Sequence, residues 1–77
     1  MKLKAYVLMN VALGCENKIM RALEAIPGFN DAFYVLGDYD IIASVSTDTI
    51  DGLNDIVSKI RRIGNVKSTS TMIAREL

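Results

Sequence analysis

The segment that opens the chain, Lys2–Val11 (KLKAYVLMNV), has the pattern of a β-strand with apolar side chains on both of its faces. Tyr6 and Leu8 belong to one alternating set. The other set consists of Leu3, Ala5, Val7, Met9 and Val11. Because both faces of such a strand must be removed from water, the strand restricts the chain to a sheet that is covered on both sides.

Two later segments predict amphipathic helices. In residues 14–28 (GCENKIMRALEAIPG) the apolar residues at helical spacing are Ile19, Ala22, Leu23 and Ile26. Glu16 favours the N-terminal end of this helix, and Pro27-Gly28 ends it. The second helix is predicted to begin at an N-cap at Asp48 and to end at Gly64-Asn65. Its apolar stripe is predicted to contain Ile50, Leu53, Val57 and Ile60.

Three further segments predict strands: residues 29–36 (FNDAFYVL), 40–46 (DIIASVS) and 66–76 (VKSTSTMIARE). The first two of these are predicted to join through a tight hairpin at residues 37–39. The resulting order is β-α-β-β-α-β, the ferredoxin-like arrangement of the α+β class. We therefore predict one domain over residues 1–77, with a four-stranded antiparallel sheet and both helices on one face.

The small size of the chain predicts oligomerisation. A domain of 77 residues has a marginal core, and such domains usually need disulfides, a metal or a partner subunit. The chain has one cysteine, Cys15, and no histidine, which excludes an intramolecular disulfide and argues against a zinc site. Because the strands offer apolar residues to the helix-free face in either orientation, we expect a dimer that packs sheet against sheet.

Composition and motifs argue against several classes of function. Nine basic and nine acidic residues give a net charge of zero, which argues against direct binding of nucleic acid. No apolar stretch approaches the roughly 20 residues of a membrane span, so we expect a cytoplasmic protein with no membrane partner. Nucleophile and base pairs, phosphate loops and metal-ligand spacings are also missing, so we predict neither an enzyme nor a cofactor.

Two polar segments have both a structural and a functional interpretation. Asp38 and Asp40 flank Tyr39 in VLGDYDIIASV, where they are either solvated turn residues or residues that bind the amino group of a ligand. The hydroxyl run 68–71 is either ordinary strand surface or a source of hydrogen bonds for a small polar ligand. The residue pattern alone leaves these alternatives open.

Three motifs resemble the effector-binding domain of the Lrp/AsnC transcription regulators, also called the regulation-of-amino-acid-metabolism (RAM) domain. The family's Gly-x-Tyr/Phe-Asp hairpin is matched by Gly37, Tyr39 and Asp40. Its final strand, gV-x-x-T-x-T, is matched by Gly64, Val66, Thr69 and Thr71, with a different spacing after the glycine. The segment AIPGFNDAFYVLG is similar to the family's helix exit. Family regulators carry a helix-turn-helix domain before this unit, so the chain resembles a stand-alone effector domain.

The resemblance implies a function and a site. It implies an amino acid or related metabolite as effector, a homodimer and larger rings of dimers. One hypothesis is that the module acts by mixed assembly with a full-length DNA-binding relative. One side of the ligand pocket would consist of Gly37, Asp38, Tyr39 and Asp40. The facing side, from another subunit, would consist of Thr69, Thr71 and Met72. The alternative hypothesis is a purely structural oligomerisation module that binds no ligand.

Overall fold

Four strands and two helices follow one another in the predicted order. The computed structural model describes residues 3–75, so that Lys2 and Glu76, predicted strand residues, lie outside the described part of the chain. The elements are β1 (Leu3–Val11), α1 (Glu16–Glu24), β2 (Phe29–Tyr34), β3 (Ile41–Thr47), α2 (Ile50–Arg61) and β4 (Val66–Ala74). The strands form one sheet in the order β2-β3-β1-β4, and every neighbouring pair is antiparallel. The ferredoxin-like prediction is confirmed.

The core lies between the sheet and the two helices. Alternate residues of β1 and β3 point towards the helices, as the two-residue repeat of a strand requires. The buried apolar residues are Ala5, Val7, Met9, Val11, Ile19, Leu23, Ile41, Ala43, Val45, Leu53, Ile56 and Ile60. Because β1 and β3 are the central strands, this core holds the middle of the sheet rigidly and leaves β2 and β4 as its edges.

Two details of the predicted second helix were wrong. Thr49, not Asp48, is the N-cap: its Oγ1 accepts a hydrogen bond of 2.9 Å from the Gly52 amide, three residues along the chain. The buried stripe also differs from the prediction and consists of Leu53, Ile56 and Ile60. Ile50 is 52% exposed, and Ile56 takes the place in the buried stripe that the sequence assigned to Ile50.

The connection between β2 and β3 is also longer than the predicted tight hairpin. Pairing between the strands ends at Tyr34 and Ile41, so residues 35–40 form a loop. The Val35 amide donates to the Asp40 carbonyl over 2.9 Å and closes the loop. The Asp40 amide instead donates to the Met9 carbonyl on β1. Because the Asp40 amide is bonded to β1, it does not donate to β2, and the predicted tight hairpin does not form.

The sheet face opposite the helices carries large apolar side chains, as predicted. Phe33, Ile42 and Leu8 are neighbours across three strands, and Tyr6 pairs with Met72 in the next row. Phe33 is 59% exposed and Met72 is 54% exposed. Two serines lie within these rows, since Ser44 pairs with Tyr6 and Ser70 with Leu8. Further polar residues lie beyond the rows: Asn10, Asn30, Ser46 and Ser68. We call this surface the open face.

Candidate functional site

The loop at residues 35–40 is held in shape by glycine and by a short hydrogen bond across its base. Gly37 has φ +134°, a backbone conformation that side-chain-bearing residues rarely adopt. Leu36 and Asp38 are exposed, whereas Tyr39 and Asp40 are half-buried. The loop therefore presents an apolar side chain and a carboxylate to solvent while Asp40 turns back towards the sheet.

Asp40 fastens this loop to the end of β1. Its carboxylate Oδ2 accepts a hydrogen bond of 2.9 Å from the Val11 amide, and its own amide donates to the Met9 carbonyl. Hydrogen bonds with an ionised partner are among the stronger ones in proteins. The residue thus has a structural role in addition to any ligand contact. Its second oxygen, Oδ1, has no hydrogen-bond partner among the described residues.

A concavity of about 330 Å³ opens beside Asp40 at this end of the sheet. It lies where the end of β1, the β1–α1 turn, the end of β2 and the beginning of β4 converge. The lining residues are Val11, Leu13, Glu16, Tyr34, Val35, Asp40 and Lys67. The lining therefore includes two acidic residues and one basic residue beside apolar ones, a composition that suits a ligand carrying both charges.

Only one of the four predicted hairpin residues lines this concavity. Asp40 is part of its wall, whereas Gly37, Asp38 and Tyr39 lie along the neighbouring loop. Glu16 and Lys67 were missed by the sequence reasoning. The Ala12 amide donates to the Asn65 carbonyl over 2.9 Å, which brings the turn before β4 next to the end of β1. No local motif signals this approach, because it depends on the order of strands in the sheet.

The three predicted residues of β4 are divided between the two faces of the sheet. Thr69 pairs with Met9 and Thr71 with Val7, so both threonines lie on the helix side. Met72 pairs with Tyr6 and lies on the open face. None of Thr69, Thr71 and Met72 lines the concavity beside Asp40.

The described residues contain no sign of a metal site or of a membrane span. No group of three or more His, Cys, Asp or Glu side chains within residues 3–75 could hold a metal ion. Neither α1 nor α2 is long and apolar enough to cross a membrane.

Comparison with known proteins identifies the family. The model of the Lrp/AsnC ligand binding domain matches residues 4–76. The chain belongs to the Lrp/AsnC family. It is 29% identical over 69 residues to the HTH-type transcriptional regulator FL11 of Pyrococcus horikoshii, covering 90% of the chain and 46% of the regulator. It is 32% identical over 68 residues to a homocitrate synthase of Sulfurisphaera tokodaii, covering 82% of the chain and 15% of the enzyme. The chain spans less than half the length of either relative.

Solved structures share the fold of this Lrp/AsnC domain. The hypothetical protein PHS023 from Pyrococcus horikoshii superimposes with a TM-score of 0.89 at 39% identity, covering 97% of this chain and 92% of that one. The transcriptional regulator NMB0573 from Neisseria meningitidis, crystallised as an L-Met complex, superimposes with a TM-score of 0.86 at 10% identity. That match covers 96% of this chain and 50% of the regulator, and it shows a common fold.

Proposed function

We propose that this chain is an effector-binding and oligomerisation module, which couples the binding of an amino acid or related metabolite to transcription regulation. The observation that carries the proposal is the concavity whose lining includes two acidic residues, Asp40 and Glu16, and one basic residue, Lys67. The L-Met complex of the Neisseria regulator supports an amino acid as the ligand class. The match to a helix-turn-helix regulator supports transcription as the output and the cytoplasm as the location.

The charges of the concavity complement those of a free amino acid. An α-ammonium group needs anionic acceptors, and an α-carboxylate needs cationic or amide donors. Asp40 Oδ2 is occupied by the Val11 amide, which leaves Oδ1 for the ligand's ammonium group. Glu16 Oε1 accepts from the Gly14 amide over 2.8 Å, so the second proposed acceptor is Glu16 Oε2. Lys67 supplies a flexible cation for the ligand's carboxylate.

The loop at residues 37–39 is proposed to contact the ligand from the rim of the concavity. Amide groups around Gly37 are suited to donate hydrogen bonds to a carboxylate, and the Tyr39 ring offers an apolar surface with a polar tip. Asp38 is exposed and has no hydrogen bond among residues 3–75, so its contribution would be a long-range one. In this proposal Asp40 is the principal contact of the four residues.

Assembly is proposed to use two separate surfaces. The open face, with Phe33 and Met72 exposed, would form the dimer. Leu13 and Leu36 are 98% and 104% exposed at the same end of the sheet as Asp40, which favours a contact between dimers there. In such a contact Thr69, Thr71 and Met72 of a neighbouring subunit are the proposed facing residues. A ligand that binds between dimers must shift the assembly equilibrium.

The proposed module could pass its ligand signal on in two ways. A homodimer that assembles with a full-length DNA-binding relative would pass the ligand signal to DNA through mixed rings. The match to part of a homocitrate synthase favours a second output, in which the module controls an enzyme. The purely structural oligomerisation module remains the alternative to ligand sensing.

Calorimetric titration of the full chain with each common amino acid tests the proposal. We expect saturable heat from at least one of them, loss of that heat in Asp40→Asn, and retention of it in the matched control Asp38→Asn. Asparagine keeps an acceptor for the Val11 amide, so the Asp40 variant removes charge while preserving the bond to β1. No binding heat from any amino acid, under conditions where the protein is assembled, would favour the structural alternative.

A further inference from the structure

The solvent-exposed side of α2 carries charges that are separated by sign along the helix. Asp51 and Asp55 are exposed in its N-terminal half, whereas Lys59 and Arg62 are exposed at its C-terminal end. Spacings of three and four residues place these four side chains on one side of the helix. The buried residues of α2 face the sheet from the opposite side. We call the four charged residues the charged stripe.

The helix dipole accounts for only part of this pattern. Acidic residues are favourable in the first turn of a helix and basic residues in the last turn, and the effect fades within one turn. Asp51 lies in the first turn and Lys59 in the last turn. Asp55 is the sixth residue of α2 and lies beyond the first turn. The dipole therefore gives no reason for an acidic residue at position 55.

The hydrogen bonds of α2 leave the charged stripe unused. Within residues 3–75, the side-chain hydrogen bonds that involve α2 join the Gly52 amide to Thr49 and Arg61 to Thr69. Asn54 and Ser58 are also exposed on α2, and both have short side chains. Another surface can therefore approach this side of the helix without displacing an existing bond.

The charged stripe is complementary to itself when two copies of α2 pack antiparallel. A twofold axis level with position 57 exchanges positions 55 and 59, so that Asp55 lies opposite Lys59 of the partner subunit. Asp51 is then within reach of the long side chain of Arg62 of the partner subunit. Each of these pairs occurs twice, because a twofold axis makes the same surface patch serve both subunits.

The exposed charges of α1 lack this property. They belong to Lys18, Arg21 and Glu24. The antiparallel arrangement that pairs Lys18 with Glu24 of a second copy also places Arg21 opposite its own counterpart, and like charges repel. Self-complementarity is therefore specific to the exposed side of α2.

We propose that the charged stripe is an interaction surface for a second copy of this chain, with the two α2 helices antiparallel. A partner with charges of one sign, such as a nucleic acid, would be repelled by half of the stripe. A second copy offers the opposite sign to every charge, and the net charge of zero adds no overall repulsion. The contact goes beyond the proposed function, because it uses neither the open face nor the concavity at Asp40.

The contact is weak and depends on salt, because exposed ion pairs contribute little individually and are screened by ions. Charge reversal tests it, with association of the full chain measured by sedimentation equilibrium at low and high salt. Asp55→Lys and Lys59→Asp each turn two attractions into two repulsions. We expect each variant alone to associate at least about tenfold more weakly than the unsubstituted chain at low salt. High salt should remove most of this difference.

An equimolar mixture of the two variants separates a contact between subunits from an interaction within one helix. When Asp55→Lys meets Lys59→Asp, both facing pairs again have opposite signs. Within each helix, however, positions 55 and 59 still carry like charges. We therefore expect the mixture to associate about as strongly as the unsubstituted chain and more strongly than either variant alone.

Reversals on α1 provide the matched controls. Glu24→Lys and Lys18→Asp make the same changes in net charge at exposed positions outside the charged stripe. They should leave association unchanged, both separately and mixed. Unchanged association of Asp55→Lys, a mixture that associates no more strongly than its two components, or equally large effects of the control reversals would each overturn the proposal.

Discussion

Replacement of Asp40 by alanine should destabilise the domain, apart from any effect on ligand binding. The variant removes the acceptor of the Val11 amide, whose hydrogen bond to Oδ2 measures 2.9 Å. Bonds with a charged partner contribute roughly 1.5–3 kcal/mol, and the half-buried position of Asp40 reduces this to about 1–2 kcal/mol. For a domain of this size the corresponding fall in Tm is about 4–16 °C.

Urea unfolding at one fixed protein concentration measures this effect, since unfolding of an oligomer depends on concentration. Asp40→Asn keeps a neutral acceptor for the Val11 amide and should lower the free energy of unfolding by only about 0.5–1 kcal/mol. Asp38→Ala, on the same loop but exposed, should change the free energy of unfolding by less than about 0.5 kcal/mol. If Asp40→Ala and Asp38→Ala unfold at the same urea concentration, the bond to β1 contributes nothing and the reasoning is refuted.

Three other changes test the fold and the dimer. Gly28→Ala should lower the free energy of unfolding in urea by about 2 kcal/mol or more, because φ at Gly28 is +93° and a Cβ would lie 2.7 Å from the Ser46 carbonyl oxygen. Gly64→Ala, with open space around the glycine, should leave the free energy of unfolding nearly unchanged. Equal effects of the two substitutions would contradict this prediction. Thr49→Ala should lower the free energy of unfolding by about 1 kcal/mol through loss of the N-cap hydrogen bond. An equally large effect of Asp48→Ala would argue that Asp48 is the N-cap. Phe33→Lys should dissociate the proposed dimer in sedimentation experiments, and a dimer that persists in this variant would exclude the open face as the interface.

The order of helices and strands was predictable because each element has a local signature. The two-residue repeat of β1 and β3 and the helical spacing around Leu23 and Ile60 require no knowledge of the fold. Errors occurred where neighbouring residues compete for one role. Asp48 and Thr49 are both good N-cap types, and only the bond to the Gly52 amide distinguishes them.

The candidate site was less predictable because its residues meet through the sheet. The shape of the loop at residues 35–40 depends on the hydrogen bond from the Asp40 amide to the Met9 carbonyl of β1. This bond can form only in the folded sheet, where β1 lies beside β3. Glu16 and Lys67 line the same concavity as Asp40 for the same reason. In contrast, the separation of Met72 from Thr69 and Thr71 follows from strand alternation alone and could have been read from the sequence.

The most direct test of the central claim is the molar mass of the full chain in solution, measured by size-exclusion chromatography with light scattering. The measurement is made without ligand and then with each common amino acid in the running buffer. We expect a dimer or larger assembly in the absence of ligand, and a change in assembly size with at least one amino acid. A monodisperse monomer under all conditions would contradict both the open-face dimer and the sensing function.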